Sequence, residues 1–273
     1  MKLAIQEDML PGRTLKERYQ RAADLGFDGI ELWSDGLDKR LYDVAEALND
    51  VNLPVAAVNL GKHDGYLSPD MAKREAAIGY MRQAMATAVD FRAPHVIFVP
   101  QWGQLVTPDL TPHRSARELA NDLMVWLLRT VSDLAYALGT RLEMQPRNHY
   151  ETDFMNTVAQ AVHFSDVIKD NPHVRIAAHL FDMALEEANV VDCLQQYHDR
   201  VGYIHLSDSN CRLPGEGLLD FAAIAETLHK NEYDGWVTLS AGKRGDNAPD
   251  DYSLYDRLPA CLDHLKAVGL LTN

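Results

Sequence analysis

The sequence predicts an α/β fold, a (β/α)8 TIM barrel forming a single domain over residues 1–273. Three observations predict it. Short apolar runs alternate with long amphipathic segments from end to end, which is the rhythm of βα units. The runs number eight, each followed by a segment long enough for the helical crossover that parallel neighbours need. A pattern of helix end, aromatic-Asp-Gly turn and strand occurs at Leu25-Gly26-Phe27-Asp28-Gly29-Ile30-Glu31-Leu32 and returns at Asn231-Glu232-Tyr233-Asp234-Gly235-Trp236-Val237-Thr238-Leu239. Such an echo marks repeated αβ units, its glycine supplying a turn conformation that a β-carbon penalises.

Taken in order, the expected strands are Lys2–Gln6, Gly29–Trp33, Val55–Leu60, His95–Pro100, Arg141–Gln145, Arg175–His179, Gly202–Leu206 and Trp236–Ser240. Each is a short apolar run of strand length. The segments between them repeat apolar residues at helical spacing: Thr14–Leu25, Leu41–Val51, Pro69–Phe91, Ala116–Leu138, Thr157–Lys169, Asn189–His198 and Phe221–Asn231, with Tyr252–Val268 closing the chain. No linker, low-complexity tract or charge block divides them.

The charge balance narrows the partners. Lys and Arg total 26 against 40 Asp and Glu, a net charge of −14 that repels a phosphate backbone. The two tight basic groups, Lys39-Arg40 and Lys243-Arg244, are pairs that read as solvated surface, so no nucleic-acid partner is expected. Three cysteines without CxxC spacing indicate neither a disulfide framework nor a thiolate zinc site. The N-terminus lacks a signal-peptide pattern, and no run approaches the roughly 18 apolar residues of a membrane span. A cytoplasmic protein without membrane contact is expected.

In such barrels the site lies at the C-terminal ends of the strands. Those positions are polar here: Glu7 and Asp8, Glu31, Asn59 and His63, Gln101 and Trp102, Glu143 and Gln145 with His149 and Glu151, His179 and Asp182, His205 and Asp208, Ser240 and Lys243. A purely structural barrel has little reason to gather carboxylates, amides and imidazoles at one rim, so a polar small molecule is the expected ligand.

Several of these stretches are familiar together. Gly26-Phe27-Asp28-Gly29-Ile30-Glu31-Leu32, Asn148-His149-Tyr150-Glu151-Thr152 with Asn156-Thr157, His205-Leu206-Ser207-Asp208-Ser209-Asn210 running into Leu213-Pro214-Gly215-Glu216-Gly217, and Tyr233-Asp234-Gly235-Trp236 resemble the sugar phosphate isomerase/epimerase family, the xylose-isomerase-like barrels that include the ketose 3-epimerases. The resemblance spans nearly the whole chain. It implies a sugar-like substrate, one divalent metal held by Glu, Asp, His and Glu at the ends of strands 5 to 8, and two glutamates moving a proton beside the carbonyl through an enediolate. Related barrels are often dimers or tetramers, so a homo-oligomer is expected.

Carried over residue by residue, three of the four ligand positions change. The strand 5 Glu, six residues before Glu151, falls on Gln145; the strand 6 Asp-x-x-His pattern is inverted to His179-Leu180-Phe181-Asp182; the strand 8 Glu falls on Ser240. His205 fits the strand 7 ligand, and an Arg that follows it in the family falls on Cys211, beside Arg212. An amide and an ordinary serine do not exchange protons near neutral pH, and both lack the negative charge that a hard cation favours. A metal, if retained, is expected to be Mn or Zn on His179, His205 and Gln145.

The residues therefore leave a short set of roles. Glu143 shares an inward face with Gln145; it is either a ligand or base, or a buried carboxylate paired with a cation such as Arg175. Asp182 stands three residues from His179, close enough to orient its imidazole as a metal-free acid/base pair, while His205 points inward from an alternating strand. The expected catalytic residues are Glu143, Asp182 and His205. Glu151, Gln145, His149, Ser240, Arg212 and Trp102 are the expected substrate contacts, His63 reads as an exposed loop residue, and Pro214-Gly215-Glu216-Gly217 offers backbone for close approach to a ligand. The leading reading is a sugar isomerase/epimerase-like enzyme transferring a proton next to the carbonyl of a small polyhydroxylated compound. The alternatives are a catalytically lapsed sugar-binding or partner subunit, or a metal-independent lyase, dehydratase or hydrolase in the same barrel.

Overall fold

All eight apolar runs form strands in a computed structural model that describes residues 1–169, 171–242 and 253–271. They are β1 (Lys2–Gln6), β2 (Gly29–Trp33), β3 (Val55–Asn59), β4 (His95–Phe98), β5 (Arg141–Met144), β6 (Val174–His179), β7 (Val201–Leu206) and β8 (Trp236–Leu239). Every neighbouring pair is parallel, and β8 closes on β1. The chain is thus the (β/α)8 barrel that its sequence predicts. Lys243 and Arg244 lie outside the described residues.

The connecting helices are α1 (Leu15–Asp24), α2 (Leu41–Val51), α3 (Met71–Asp90), α4 (Ala116–Leu138), α5 (Val158–Val167), α6 (Leu180–Glu186), α7 (Val190–Gln196), α8 (Phe221–Lys230) and α9 (Ser253–Ala267). Their starts are chemically marked: Thr14 caps α1, and Ser115 and Thr157 form reciprocal capping boxes with Glu118 and Gln160. Helix α6 was not expected. It follows β6 with no intervening turn residue, so no Gly, Pro or Asn marks the change of period. No helix among the described residues is long and apolar enough to cross a membrane.

The main core fills the space between barrel and helices, with Leu32, Val58, Phe98, Met124, Leu128 and Ile204 fully buried. Inside the barrel a smaller cluster joins Ala4, Ala57, Ile97, Ala177 and Tyr203; the alanines leave room for the Tyr203 ring. Below it lies a polar floor, where His95 Nδ1 and Glu143 Oε1 are 2.7 Å apart. Gly202 is required there, because a β-carbon on it would come within 2.6 and 2.7 Å of the two Glu143 oxygens.

Candidate active site

The C-terminal mouth of the barrel opens into a cavity of about 700 Å³. Its walls include Gln6, Asn59, His63, Trp102, Gln145, Arg147, Glu151, His179, His205 and Ser240. Each comes from a strand end or the loop after it, so alternation along the strands aims these side chains inward.

At the base of the cavity stands Glu31, 1% exposed. Its Oε1 accepts from Gln6 Nε2 at 2.8 Å and Asn59 Nδ2 at 2.9 Å, and its Oε2 lies 2.8 Å from His205 Nε2. Burial pushes the Glu31 carboxyl up; the facing imidazole and the three hydrogen bonds outweigh it and hold the group below its ordinary range. On its other side His205 Nδ1 lies 3.1 Å from Gln145 Nε2. Both imidazole nitrogens are therefore engaged by protein. The sequence showed Glu31 as a polar strand end without a role, and Gln6 and Asn59 as its neighbours in space not at all.

His179 and His205 are register partners on adjacent strands, with ring centroids 5.4 Å apart. Burial pushes the His179 imidazole well below its ordinary pKa, and the charges of Arg147 and His205 push the same way, so it is neutral at pH 7. Its Nε2 is 3.4 Å from Ser240 Oγ. Its Nδ1 is 3.2 Å from Asp182 Oδ2, inside ion-pair range but out of line for a hydrogen bond. The adjacent carboxylate favours the tautomer with its proton on Nδ1, leaving the Nε2 lone pair on the cavity side.

Asp182 itself does not line the cavity. Helix α6 turns it behind His179, where Oδ1 accepts from the Asn148 main chain at 3.1 Å and from the Asn148 side chain, and Arg147 Nη1 lies 3.1 Å from Oδ2. Burial pushes its carboxyl up against these favourable contacts. Arg147 bridges outward, its guanidinium 5.4 Å from the centre of the Trp102 ring and its Nε buried without a partner. Lys62 lies 5.7 Å from the same ring.

The expected site residues divide on this geometry. Gln145, His179, His205, Ser240, Glu151 and Trp102 come together around the cavity. Glu143 does not: it sits fully buried on the barrel floor with His95, because two residues along a strand displace a side chain by about 6.6 Å. His149 is exposed and paired with Glu186, and Arg212 is exposed while Cys211 lines the wall. The Pro214–Gly217 loop wraps a carboxylate of the protein rather than facing the cavity: Asp208 accepts from the main chain of Ser209, Gly215 and Leu219. Arg40, read as solvated, is half-buried, lines the cavity and forms a paired bond to Glu7 at 2.7 and 2.9 Å.

The side chains around this cavity do not suit a divalent cation. The imidazole best placed to ligate, His205, has its two nitrogens turned to Glu31 and Gln145. Gln145 and Ser240 bring no charge. Among the described residues no group of three His, Cys, Asp or Glu side chains is placed to hold a metal ion.

Residues 19–258 match the family model described as "Xylose isomerase-like TIM barrel". The chain belongs to this family. Among its curated members, the 3-dehydro-D-guloside 4-epimerase of Escherichia coli is 27% identical over 255 residues, covering 92% of this chain and 96% of that protein. The L-ribulose 3-epimerase of Mesorhizobium japonicum is 28% identical over 221 residues, covering 78% of this chain and 71% of that one. A crystal structure of the Escherichia coli 3-keto-D-glucoside 4-epimerase, apo form, superposes with a TM-score of 0.84 at 24% identity, covering 98% of this chain and 99% of the other. That likeness is one of fold. The relatives named are epimerases of a ketose and of keto-glycosides.

Proposed function

We propose that this chain is a sugar isomerase/epimerase-like enzyme that moves a proton beside the carbonyl of a small polyhydroxylated compound, with His179 as the base and no bound metal. One observation carries the reading: a buried, neutral imidazole presents Nε2 to a polar cavity at the strand ends, with Asp182 3.2 Å behind its other nitrogen. The relatives' reactions on ketoses and keto-glycosides supply the substrate class.

The chemistry follows from what each side chain can do. His179 Nε2 takes the proton from the carbon next to the carbonyl, and the C–H electron pair becomes the new double bond as charge moves to the carbonyl oxygen. Arg147, with a buried unsatisfied Nε, and the Gln145 amide are the donors available to that oxygen. Asp182 is a positioning residue that fixes the tautomer. Glu31 positions His205 and, through it, Gln145. Glu151, Trp102 and Ser240 surround the hydroxyls and one face of the sugar.

The test is proton exchange in D2O, followed by NMR on D-psicose, D-tagatose, L-ribulose and a 3-keto-D-glucoside. The expected result is deuterium incorporation at the carbon beside the carbonyl in at least one of these, undiminished by EDTA. His179→Gln is expected to lower that rate roughly 10²- to 10⁴-fold, the usual range for a general base. Absence of exchange in all four, with binding retained in calorimetry, favours the lapsed sugar-binding reading, which the changed ligand positions motivate.

A further inference from the structure

Epimerisation needs more than one proton-transfer group. A base that removes a proton from one face of a carbon can return it to that face; inversion requires a donor on the other. The known two-glutamate arrangement is absent here, since Gln145 and Ser240 do not titrate near neutral pH. The second group is then sought among the other titratable side chains of the cavity wall, on the side away from β6.

His63 meets those conditions. It lies four residues beyond β3, and in the closed barrel β3 stands three strands from β6, so the two imidazoles line the cavity from well-separated walls. Its ring is held, not loose: it stacks on Tyr80 with centroids 4.0 Å apart and an interplanar angle of 16°, and it tilts against Tyr66 at 5.7 Å. Tyr80 is fixed in turn by a 2.7 Å hydrogen bond between its hydroxyl and Ser34 Oγ. Among the described residues neither His63 ring nitrogen has a hydrogen-bond partner, so both are available to a bound molecule. Of the carboxylates that also line the cavity, Glu7 is already occupied by Arg40 and the Trp33 main chain.

We propose that His63 is the second proton-transfer group of this site, acting on the substrate face opposite His179. The inference rests on the functional reading above. In one direction His179 Nε2 removes the proton, the C–H pair becomes the enediolate double bond, and the imidazolium of His63 delivers its proton to the opposite face as the carbonyl re-forms. The cycle leaves His179 protonated and His63 neutral; water restores both, and the reverse reaction exchanges their roles. The difference in burial suits this division. His179 is buried and pushed well below its ordinary pKa, whereas His63 is half-buried and pushed down by burial with Asp64 opposing in part; its partial exposure lets it exchange protons with solvent.

The experiment separates exchange from inversion on the same four probes in D2O. Wild type is expected to give an epimer carrying solvent deuterium. His63→Gln is expected to keep deuterium wash-in to the unreacted sugar while epimer formation falls at least about 100-fold. Retained wash-in certifies that this variant is folded and binds. Epimer formation at the wild-type rate in His63→Gln overturns the proposal, as does loss of wash-in and inversion in step, which places His63 in binding. Absence of wash-in in wild type with every probe overturns the functional reading itself, and this inference with it.

Discussion

Glu31 is the residue on which the base of the cavity depends. Three donors, from Gln6, Asn59 and His205, converge on one carboxylate that is 1% exposed. Removing it leaves three largely buried donors without their acceptor, and a buried donor left unpaired costs about 1–3 kcal/mol. Glu31→Ala is expected to lower unfolding stability by roughly 3 kcal/mol in urea titration, whereas Glu151→Gln at the rim is expected to change it by less than about 0.5 kcal/mol. His179 carries a pH dependence whose sign is fixed. Its folded pKa is depressed, so below about pH 6.5 the unfolded chain takes up a proton that the folded chain refuses. The stability it contributes is present above that pH and is lost as the pH falls. Between pH 7.5 and 5.5 the melting temperature of wild type is expected to fall further than that of His179→Gln; parallel curves would contradict a buried neutral imidazole.

At the scale of elements, periodicity made the strands and most helices legible, because apolar alternation is local and each run carries its own signal. Depth along a strand is not local. The two-residue period correctly put Glu143 and Gln145 on one inward face, yet the layer each reaches depends on barrel stagger and on what the next strand offers. Glu143 met His95 on the floor and Gln145 met His205 at the cavity, and neither neighbour is written in the local sequence. The His205–Glu31 pair joins residues 174 positions apart and has no sequence signature. Helix α6 was hidden because no turn residue separates it from β6, and with it the reason that Asp182 stands behind His179 rather than in the cavity. The floor supplies its own check. Gly202→Ala drives a β-carbon against both Glu143 oxygens, a clash expected to cost about 1–3 kcal/mol. Because part of the obstacle is the Glu143 side chain, the Arg175 β-carbon at 2.8 Å being the rest, the loss in Gly202→Ala/Glu143→Ala is expected to be smaller than the sum of the single losses when measured as a double-mutant cycle.

For the whole molecule, the decisive relation is between the charges around the cavity and the ion they would hold. A divalent cation and the carboxylates that bind it compensate one another, so losing only the ion leaves buried, mutually repelling anions, and losing only the anions leaves nothing to retain the ion. In this chain, already at −14, Gln145 and Ser240 are neutral, His179 is neutral, and His205 is turned to Glu31. The barrel that positions these groups matches its epimerase relatives in fold, so the charge of the cavity can be altered at a few side chains by design. Wild-type protein purified without a histidine tag is expected to carry well under one equivalent of Mn or Zn by elemental mass spectrometry, and added metal is expected to leave its melting temperature unchanged. Gln145→Glu/Ser240→Glu restores two carboxylates beside two imidazoles and frees His205 Nδ1 from an amide donor. That double variant is expected to bind about one equivalent of Mn and to melt higher in its presence. One equivalent of metal in wild type would show that His179 and His205 rearrange into a ligand set, and would return the metal to the centre of the mechanism.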